Sequence, residues 1–307
     1  MTTTDELTSG LLTDDQDAAI VTARAAGRQL FKYSYRHPTD PFECPAPFFH
    51  PLRTLGGGVL TNHRPNDHRW HKGLAMTISH LSGQNFWGGG TYVPGAPGHG
   101  YVDLPNVGSL AHSEFESFDG TGFVEHVDWI AADGGRWIAE RRSVAVLDVD
   151  PSDGRWTLEF GTELLNVSGR VLEIGSPTVF GRVLAGYSGF FWRGPRSFAG
   201  GSVLAAGGLE GPEVMGRQAP WLAYSGEFDV IDGHATLLFR AAPDTEGGDP
   251  HWFVRSEPFA AVNPSLAFHD SLDFEPNETL SRTYRITVAD GLWDRERIES
   301  HLAEQSW

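Results

Sequence analysis

The sequence is poor in cysteine: Cys44 is the single one among 307 residues. One cysteine cannot form a disulfide within the chain, and it cannot supply a cluster of thiolate ligands to a metal. Runs of about 18 apolar residues are also missing, so no membrane-spanning helix is predicted. The first 15 residues are acidic and polar, which is not the pattern of a signal peptide, and we therefore expect a cytoplasmic protein.

Basic residues are scarce as well. There are 23 lysines and arginines but 40 acidic residues, so the formal net charge is −17. No basic patch offsets this charge, so nucleic acid is not an expected partner. The sequence also lacks a GxSxG nucleophile motif, a P-loop and a glycine-rich dinucleotide fingerprint, which disfavours nucleotide and NAD chemistry.

Helical periodicity is confined to the segment from Trp293 to Leu302. Elsewhere, 37 glycines and 19 prolines separate short runs with the alternation of β-strands. The predicted strands are Glu114–Phe118, Phe123–Ile130, Arg136–Val149, Trp156–Val167, Val179–Leu184, Gly201–Ala206, Trp221–Val230, Ala235–Arg240, Trp252–Phe259 and Leu280–Val288. We predict an all-β protein, a large antiparallel two-sheet β-sandwich with a short C-terminal helix.

No break in composition marks a second domain. We expect residues 1–15 to form a mobile tail and residues 16–307 to form a single domain. Near its start, the alternating residues from Ala18 to Tyr35, with Gly27 between them, favour a β-hairpin over a helix.

The segment from 63 to 90 is unusually rich in histidine. A turn at Pro65-Asn66 could bring His63, Asp67, His68 and His71 together. Their side chains suit acid/base catalysis and the binding of hydroxyl groups. The same four are compatible with zinc or non-haem iron, and a purely structural role is the third alternative. The other predicted substrate-binding residues of this segment are Arg64, Lys72 and Trp87.

Two carboxylates on one predicted strand are candidate general bases. Glu159 and Glu163 are four residues apart, so they lie on the same face of a strand. Carboxylates on a concave sheet suit sugar chemistry, whereas a solvated strand face is the alternative.

Two arginines beside aromatic residues are candidate ligand clamps. Arg193 follows Trp192, and Arg255 lies four residues after His251, a candidate catalytic residue on the same predicted strand. A planar guanidinium suits a carboxylate or a pair of hydroxyls, whereas ion pairs with the many acidic residues are the ordinary alternative.

The motifs PFFHPLRT (47–54), RPNDHRWHKG (64–73), NFWGG (85–89), GYSGFFWRGPR (186–196) and HWFVR (251–255) resemble a soluble bacterial family often labelled "methane oxygenase PmoA". The resemblance covers nearly the whole chain, from about residue 19 to 291. The family's β-rich pattern looks similar to that of galactose-mutarotase-like supersandwiches, which bind or transform carbohydrates. The resemblance therefore implies a supersandwich fold and a small sugar or sugar derivative as the partner.

We therefore expect a carbohydrate-active protein that uses acid/base chemistry of the epimerase, lyase or hydrolase type. His68, His71 or His251 would be the acid, Glu159 or Glu163 the base, and Arg193 and Arg255 the clamps. This reading needs no cofactor. Two alternatives stay open: a metal-dependent, oxidative enzyme that uses a divalent ion at His63, Asp67, His68 and His71, and a non-catalytic carbohydrate-binding protein.

Overall fold

The computed structural model describes residues 11–243, 248–305 and 307. Within them lie 21 strands and one α-helix. The strands are β1 (Leu12–Asp15), β2 (Ile20–Ala25), β3 (Arg28–Ser34), β4 (Phe48–Leu52), β5 (Leu74–Leu81), β6 (Gln84–Phe86), β7 (Thr91–Tyr92), β8 (Tyr101–Val102), β9 (Ser109–Phe118), β10 (Gly122–Ile130), β11 (Arg136–Asp150), β12 (Arg155–Asn166), β13 (Leu172–Gly175), β14 (Gly189–Arg193), β15 (Ser202–Ala205), β16 (Trp221–Glu227), β17 (His234–Ala241), β18 (His251–Arg255), β19 (Ala261–Ser265), β20 (Leu272–Phe274) and β21 (Thr279–Asp290). The helix is α1 (Arg295–Glu304), and short 3₁₀ turns lie at Pro41–Glu43, Gly98–Gly100, Arg196–Phe198, Ala206–Gly208 and Gly211–Val214.

Two large antiparallel sheets form the body of the protein. The eleven-stranded sheet has the order β1-β2-β3-β4-β5-β14-β19-β18, with β6, β13 and β20 attached beside β5. The eight-stranded sheet has the order β15-β16-β17-β21-β12-β11-β10-β9, and β7 pairs with β8 separately. The predicted all-β class, the two antiparallel sheets and the C-terminal helix are thus confirmed.

At the N-terminus the predicted hairpin is present as β2 and β3. The last residues of the segment that we expected to be mobile form β1, which pairs with β2 from Leu12 to Asp15. This pairing corrects the expected boundary of the tail, because a strand hydrogen-bonded to its neighbour is held in place. Residues 1–10 lie outside the described residues.

One strand prediction is wrong. Val179–Leu184 forms successive turns, in which the amides of Gly181 and Arg182 donate to the carbonyls of Thr178 and Pro177. Gly181 has φ +99°, a conformation that ends an extended strand and that glycine adopts without steric cost. Local hydrogen bonds therefore replace the ladder that the apolar residues suggested.

The eleven-stranded sheet buries both of its faces in its central part. On β14, Phe190 and Trp192 belong to the core between the sheets, whereas Phe191 belongs to a separate cluster with Trp87 and Phe253. Successive side chains of a strand point to opposite faces, so this second cluster lies on the face turned away from the eight-stranded sheet. We call it the outer face.

A polar network is buried between the sheets. The Arg142 guanidinium donates from Nε to Glu140 Oε1 and from Nη2 to Glu140 Oε2, each at 2.8 Å. The same two oxygens accept from Thr162 Oγ1 at 2.9 Å and from Trp129 Nε1 at 2.8 Å. Both side chains of the ion pair are almost fully buried, at 1% and 0% exposure, so its stability depends on these complete hydrogen bonds.

This network also joins the two sheets. Tyr33 on β3 accepts from Arg142 Nη1 at 2.8 Å and donates to Glu125 Oε2. The other oxygen of Glu125 lies 2.7 Å from His112 Nδ1. We refer to Glu125, Glu140, Arg142 and the groups bonded to them as the inter-sheet network.

Helix α1 covers the opposite side of the eight-stranded sheet. The Asp294 carboxylate accepts from the amide of Arg297 at 2.9 Å and so caps the helix N-terminus. Ile298 is buried against Trp221 and Trp293. The helix therefore covers part of this side of the eight-stranded sheet.

Candidate active site

A cavity of about 560 Å³ opens on the outer face of the eleven-stranded sheet. Its wall is mostly aromatic, with a few polar side chains among the rings, which is typical of small-molecule sites. It is lined by Phe42, His68, Trp70, His71, Trp87, Gly88, Gly90, Tyr101, Asp103, Arg182, Tyr187, Phe191, Phe253, Arg255, Pro258 and Phe259.

A closed loop carries the two histidines of the cavity. His63 and Lys72 form an antiparallel bridge at its base, and the Arg64 amide donates to the His71 carbonyl. Within the loop, the His68 amide donates to Pro65 and the His71 amide donates to His68. These bonds hold the backbone of the loop, and the two imidazole rings stack with centroids 4.6 Å apart at 22°.

A glycine pair gives this loop its support. Gly88 and Gly89 have φ of +94° and +71°, and a Cβ on Gly89 would lie 2.5 Å from the Trp70 ring. Only glycine lets the backbone approach the indole so closely. The two glycines therefore allow Trp70 to pack next to the two histidines.

His71 is oriented by an arginine behind it. Arg193 Nη1 lies 3.0 Å from His71 Nδ1, and a guanidinium can only donate, so Nδ1 accepts and Nε2 carries the proton. Burial lowers the pKa of His71 well below its ordinary value, which keeps this imidazole neutral. Among the described residues His71 Nε2 has no partner, so the N–H is available to a ligand.

His68 is oriented in the opposite sense by a carboxylate. Asp67 Oδ2 lies 2.7 Å from His68 Nδ1 and accepts a hydrogen bond from its N–H. The unprotonated nitrogen of the neutral ring is therefore Nε2. The same oxygen accepts from Arg193 Nη2 at 2.9 Å. Arg193 thus bonds both to His71 and to the carboxylate that orients His68. Its guanidinium carbon lies over the Phe259 ring, 3.7 Å from the ring centroid.

The pKa values of this group are consistent with those protonation states. Burial acts to raise the pKa of Asp67, but hydrogen bonds from His68 and Arg193 outweigh it and hold that pKa well below its usual value. Burial lowers the pKa of His68, and the nearby Asp67 carboxylate reverses this only in part. At neutral pH the pair is therefore two neutral imidazoles, one presenting an acceptor and one presenting a donor.

Two tyrosines and an arginine that were not predicted as site residues also line the cavity. The Tyr101 and Tyr187 hydroxyls are 2.6 Å apart, and Arg182 donates to the Tyr101 hydroxyl. Burial, followed by the neighbouring Tyr101, raises the pKa of Tyr187 well above its ordinary value, so this phenol keeps its proton. The motif 186–196 contained Tyr187, but no local pattern marked Tyr101 or Arg182, because only the fold brings these three together.

Several predicted site residues lie outside the cavity. His63 stacks on Phe48 and on His50, with ring centroids 4.9 and 5.1 Å apart. Arg64 forms a two-bond ion pair with Glu43, at 2.7 Å for each bond. The Lys72 amine is buried and donates to the carbonyls of residues 43 and 44, and burial lowers its pKa to about 8. In the structure these three side chains stabilise the loop and its base.

The strand carboxylates and His251 are also elsewhere. Glu159 and Glu163 lie on β12 of the eight-stranded sheet and pair with Arg285 at 2.9 Å and Arg141 at 3.3 Å. They share a face, as predicted, but the alternate residues of this strand fill the inter-sheet core, so both glutamates point away from the cavity. His251 begins β18 and contacts Phe268 and His269 rather than the cavity.

The remaining predicted residues are brought together. His68, His71, Trp87 and Arg255 line the cavity, with Asp67 and Arg193 directly behind the histidines. For the metal alternative, no group of three or more His, Cys, Asp or Glu side chains within the described residues is arranged to hold a metal ion. Over the same residues, no helix is long and apolar enough to cross a membrane.

Comparison with solved structures gives distant similarities. A heparan sulfate lyase from Pedobacter heparinus matches with TM-score 0.45 and 10% identity over 92% of this chain and 37% of its own. A GH36 α-galactosidase from Geobacillus stearothermophilus matches with TM-score 0.42 and 12% identity over 91% and 41%. An aldose epimerase homologue from C. elegans matches with TM-score 0.28 and 9% identity over 91% and 98%. The chain thus spans about two fifths of the lyase and galactosidase chains, and at these TM-scores we base no inference on the likeness.

No curated protein matches the chain. A family model of unknown function does match, over residues 21–303, which is nearly the whole sequence. The expected methane-oxygenase label finds no support in this match and stays a prediction. The protein belongs to the family of unknown function DUF6807.

Proposed function

We propose that the cavity on the outer face catalyses proton transfer on a sugar or sugar derivative, as an epimerase or lyase does. The observation that carries this proposal is the stacked pair of neutral histidines with opposite hydrogen-bonding roles. An acceptor next to a donor, both oriented from behind and both without a protein partner at Nε2 in the described chain, is suited to removing a proton while an adjacent oxygen is stabilised.

His68 would be the general base. Its Nε2 carries a lone pair, because Nδ1 donates to Asp67. Because the pKa of His68 is lowered, the basic form predominates at neutral pH. The carboxylate would stabilise the imidazolium that forms when His68 takes the proton, as an orienting carboxylate does in other acid/base sites.

His71 would stabilise the oxygen on which negative charge develops. Its Nε2–H belongs to a neutral imidazole, since burial lowers the pKa of His71 strongly. A neutral imidazole held in this state can polarise a carbonyl oxygen by hydrogen bonding. Arg193 fixes the required tautomer through Nδ1.

The cavity wall supports a sugar as the substrate. Trp70, Trp87 and Phe259 offer flat apolar surfaces, and the hydroxyls of Tyr101 and Tyr187 with the Asp103 carboxylate offer hydrogen bonds. Apolar faces and scattered polar groups complement the C–H faces and hydroxyl edges of a sugar ring. We assign the base to His68 and not to the predicted Glu159 or Glu163, because these two glutamates lie on the other sheet. The proposed chemistry uses side chains alone.

The test is solvent deuterium exchange. A panel of sugars and sugar acids is incubated with the protein in D₂O, and loss of individual C–H signals is followed by NMR. We expect one class of substrate to exchange a C–H next to a carbonyl or carboxyl carbon, and His68→Gln to slow this exchange about 10²-fold or more.

The matched control is His126→Gln, which changes a half-buried histidine on the eight-stranded sheet that pairs with Glu116. This variant should exchange at the wild-type rate. Unchanged exchange in His68→Gln would refute the assigned base. A sugar that binds and never exchanges would instead indicate a non-catalytic carbohydrate-binding protein.

A further inference from the structure

An arginine without an acidic partner lies in the cavity wall. Arg255 is on the same face of β18 as Phe253, half-buried, with its guanidinium 5.4 Å from the Phe253 ring centroid. Within the described residues it makes no ion pair. In the same chain, which has 40 acidic and 23 basic residues, the buried Arg142 and Arg193 each pair with a carboxylate.

A second arginine contributes to the same wall. Arg182 lies over the Tyr101 ring at 4.9 Å and donates to its hydroxyl, and over the described part of the chain it too has no carboxylate partner. Burial and then Arg182 lower the pKa of Arg255, so the two cations are close enough to repel each other. An arginine nevertheless remains protonated. The protein thus holds two like charges beside a cavity, at an electrostatic cost that an anionic ligand would remove.

The position of the arginines relative to the histidines defines which part of a ligand they would meet. Arg255 is among the groups that lower the pKa of His68, so both act on the same space. Asp103 also lines the cavity but bonds to neither arginine, which leaves it to accept from hydroxyl groups. The cavity wall therefore combines two cations with the acceptor and the donor of the histidine pair.

We infer that the ligand is a sugar acid, whose carboxylate is bound by Arg255 and Arg182. This inference deepens the proposed function and rests on it. A planar guanidinium fork matches a carboxylate in a bidentate manner, and among the described residues no α-helix N-terminus, which commonly binds phosphate, lines the cavity. The cationic wall also suits the proposed chemistry, because neutralising a carboxylate acidifies the C–H bond on the adjacent carbon.

The proton balance of that step is simple. His68 Nε2 takes the proton from the carbon next to the carboxylate, and the electron pair of the C–H bond moves into the carboxylate to form an enolate. Return of a proton from solvent to the other face of the carbon gives the epimer, and His68 releases the proton that it took to solvent. In the alternative, a substituent on the next carbon departs with its bonding electron pair and takes up a proton, which gives an alkene with no oxidant or reductant involved.

The experiment compares binding by isothermal titration calorimetry. D-glucuronate and D-galacturonate are titrated against D-glucose and D-galactose, which lack the carboxylate, and against D-glucose 6-phosphate. We expect the wild-type protein to prefer a uronate over its neutral counterpart at least tenfold. Arg255→Gln should weaken uronate binding about tenfold to a hundredfold and leave the neutral sugar unchanged.

Arg28→Gln is the matched control, because Arg28 is exposed at the β2–β3 turn, far along the sheet from the cavity. This variant should keep the uronate preference. Equal binding of uronate and neutral sugar, or a preference that Arg255→Gln leaves intact, would overturn the sugar-acid inference. Tighter binding of the phosphate would overturn the choice of a carboxylate. Uronate binding without deuterium exchange would refute the proposed function and leave the binding inference standing.

Discussion

The inter-sheet network and the histidine pair of the cavity use the same kinds of side chain but differ in hydrogen bonding. The network uses the bonding capacity of its carboxylate fully, whereas the histidine pair leaves part of its capacity unused. Each oxygen of Glu140 accepts two hydrogen bonds from Arg142, Trp129 and Thr162. In the cavity, His68 and His71 each keep one ring nitrogen without a partner among the described residues. A buried network that only stabilises a fold is best when complete, whereas a site must keep unused bonding capacity for its ligand. The two regions therefore predict opposite responses to substitution.

The largest expected effect is on stability, at Arg142. Arg142→Leu would leave Glu140 charged and buried without its ion-pair partner. We expect the free energy of unfolding to fall by about 3–5 kcal/mol, measured by urea denaturation. A loss below about 1 kcal/mol would remove the contrast between the two networks.

The next effect is on activity, at Asp67. Asp67→Asn removes the charge that stabilises the His68 imidazolium, so we expect kcat to fall about 10²-fold. Because Asp67 raises the pKa of His68 against the lowering effect of burial, its loss should move the acidic limb of the kcat/KM profile to lower pH. The pH profile is the decisive readout, since a limb that stays in place would contradict the assigned pairing. Half-exposed Asp67 should contribute little to the free energy of unfolding.

A smaller effect concerns the other end of the same loop. Burial lowers the pKa values of His63 and His50 to about 4, from ordinary values near 6.5. The unfolded chain therefore binds more protons between these values, and the folded state should lose stability as the pH falls from about 6.5 to 4. After allowance for solvent screening we expect a loss of about 1 kcal/mol, measured by thermal unfolding across this range.

The variant His63→Phe removes one titrating ring while keeping the stack on Phe48. Its stability should depend less on pH in this window. An unchanged pH dependence would show that other groups dominate acid unfolding.

The smallest expected effect is on stability, at Arg255. Arg255→Gln removes a cation that has no acidic partner in the described part of the chain, so we expect a change within about 0.5 kcal/mol in the free energy of unfolding. Urea denaturation, as for Arg142→Leu, compares an arginine that has an ion-pair partner with one that has none among the described residues. A large destabilisation would assign Arg255 a structural role instead.

Sequence patterns predicted the sheets more successfully than the site. Alternation and glycine-containing turns located β10, β11 and β12 to within a few residues, because a half-buried strand leaves an alternating pattern in the sequence itself. The same alternation placed Glu159 and Glu163 on one face, but it could not say which face covers the core. Val179–Leu184 failed because local turn hydrogen bonds competed with the ladder.

Convergence of distant residues was beyond any local pattern. The density of histidine singled out the loop from 64 to 71, and His68 and His71 do line the cavity, but His63 lies in the bridge at the loop base. Arg182 and Tyr101 are 81 residues apart in sequence, and only the packing of β8 and the turns of residues 177–184 over the outer face joins them. Arg193 was predicted as a ligand clamp, but it is buried behind the histidines and acts on them rather than in the cavity.

The alternation on β14 and β18 has a consequence for how members of this family could diverge. Trp192 and Val254 belong to the inter-sheet core, whereas their sequence neighbours Phe191, Phe253 and Arg255 line the cavity. Mutations at every second position of these strands would therefore change ligand preference, and those between would be constrained by folding. Selection for a new substrate and selection for a stable protein could then proceed on the same strands without conflict.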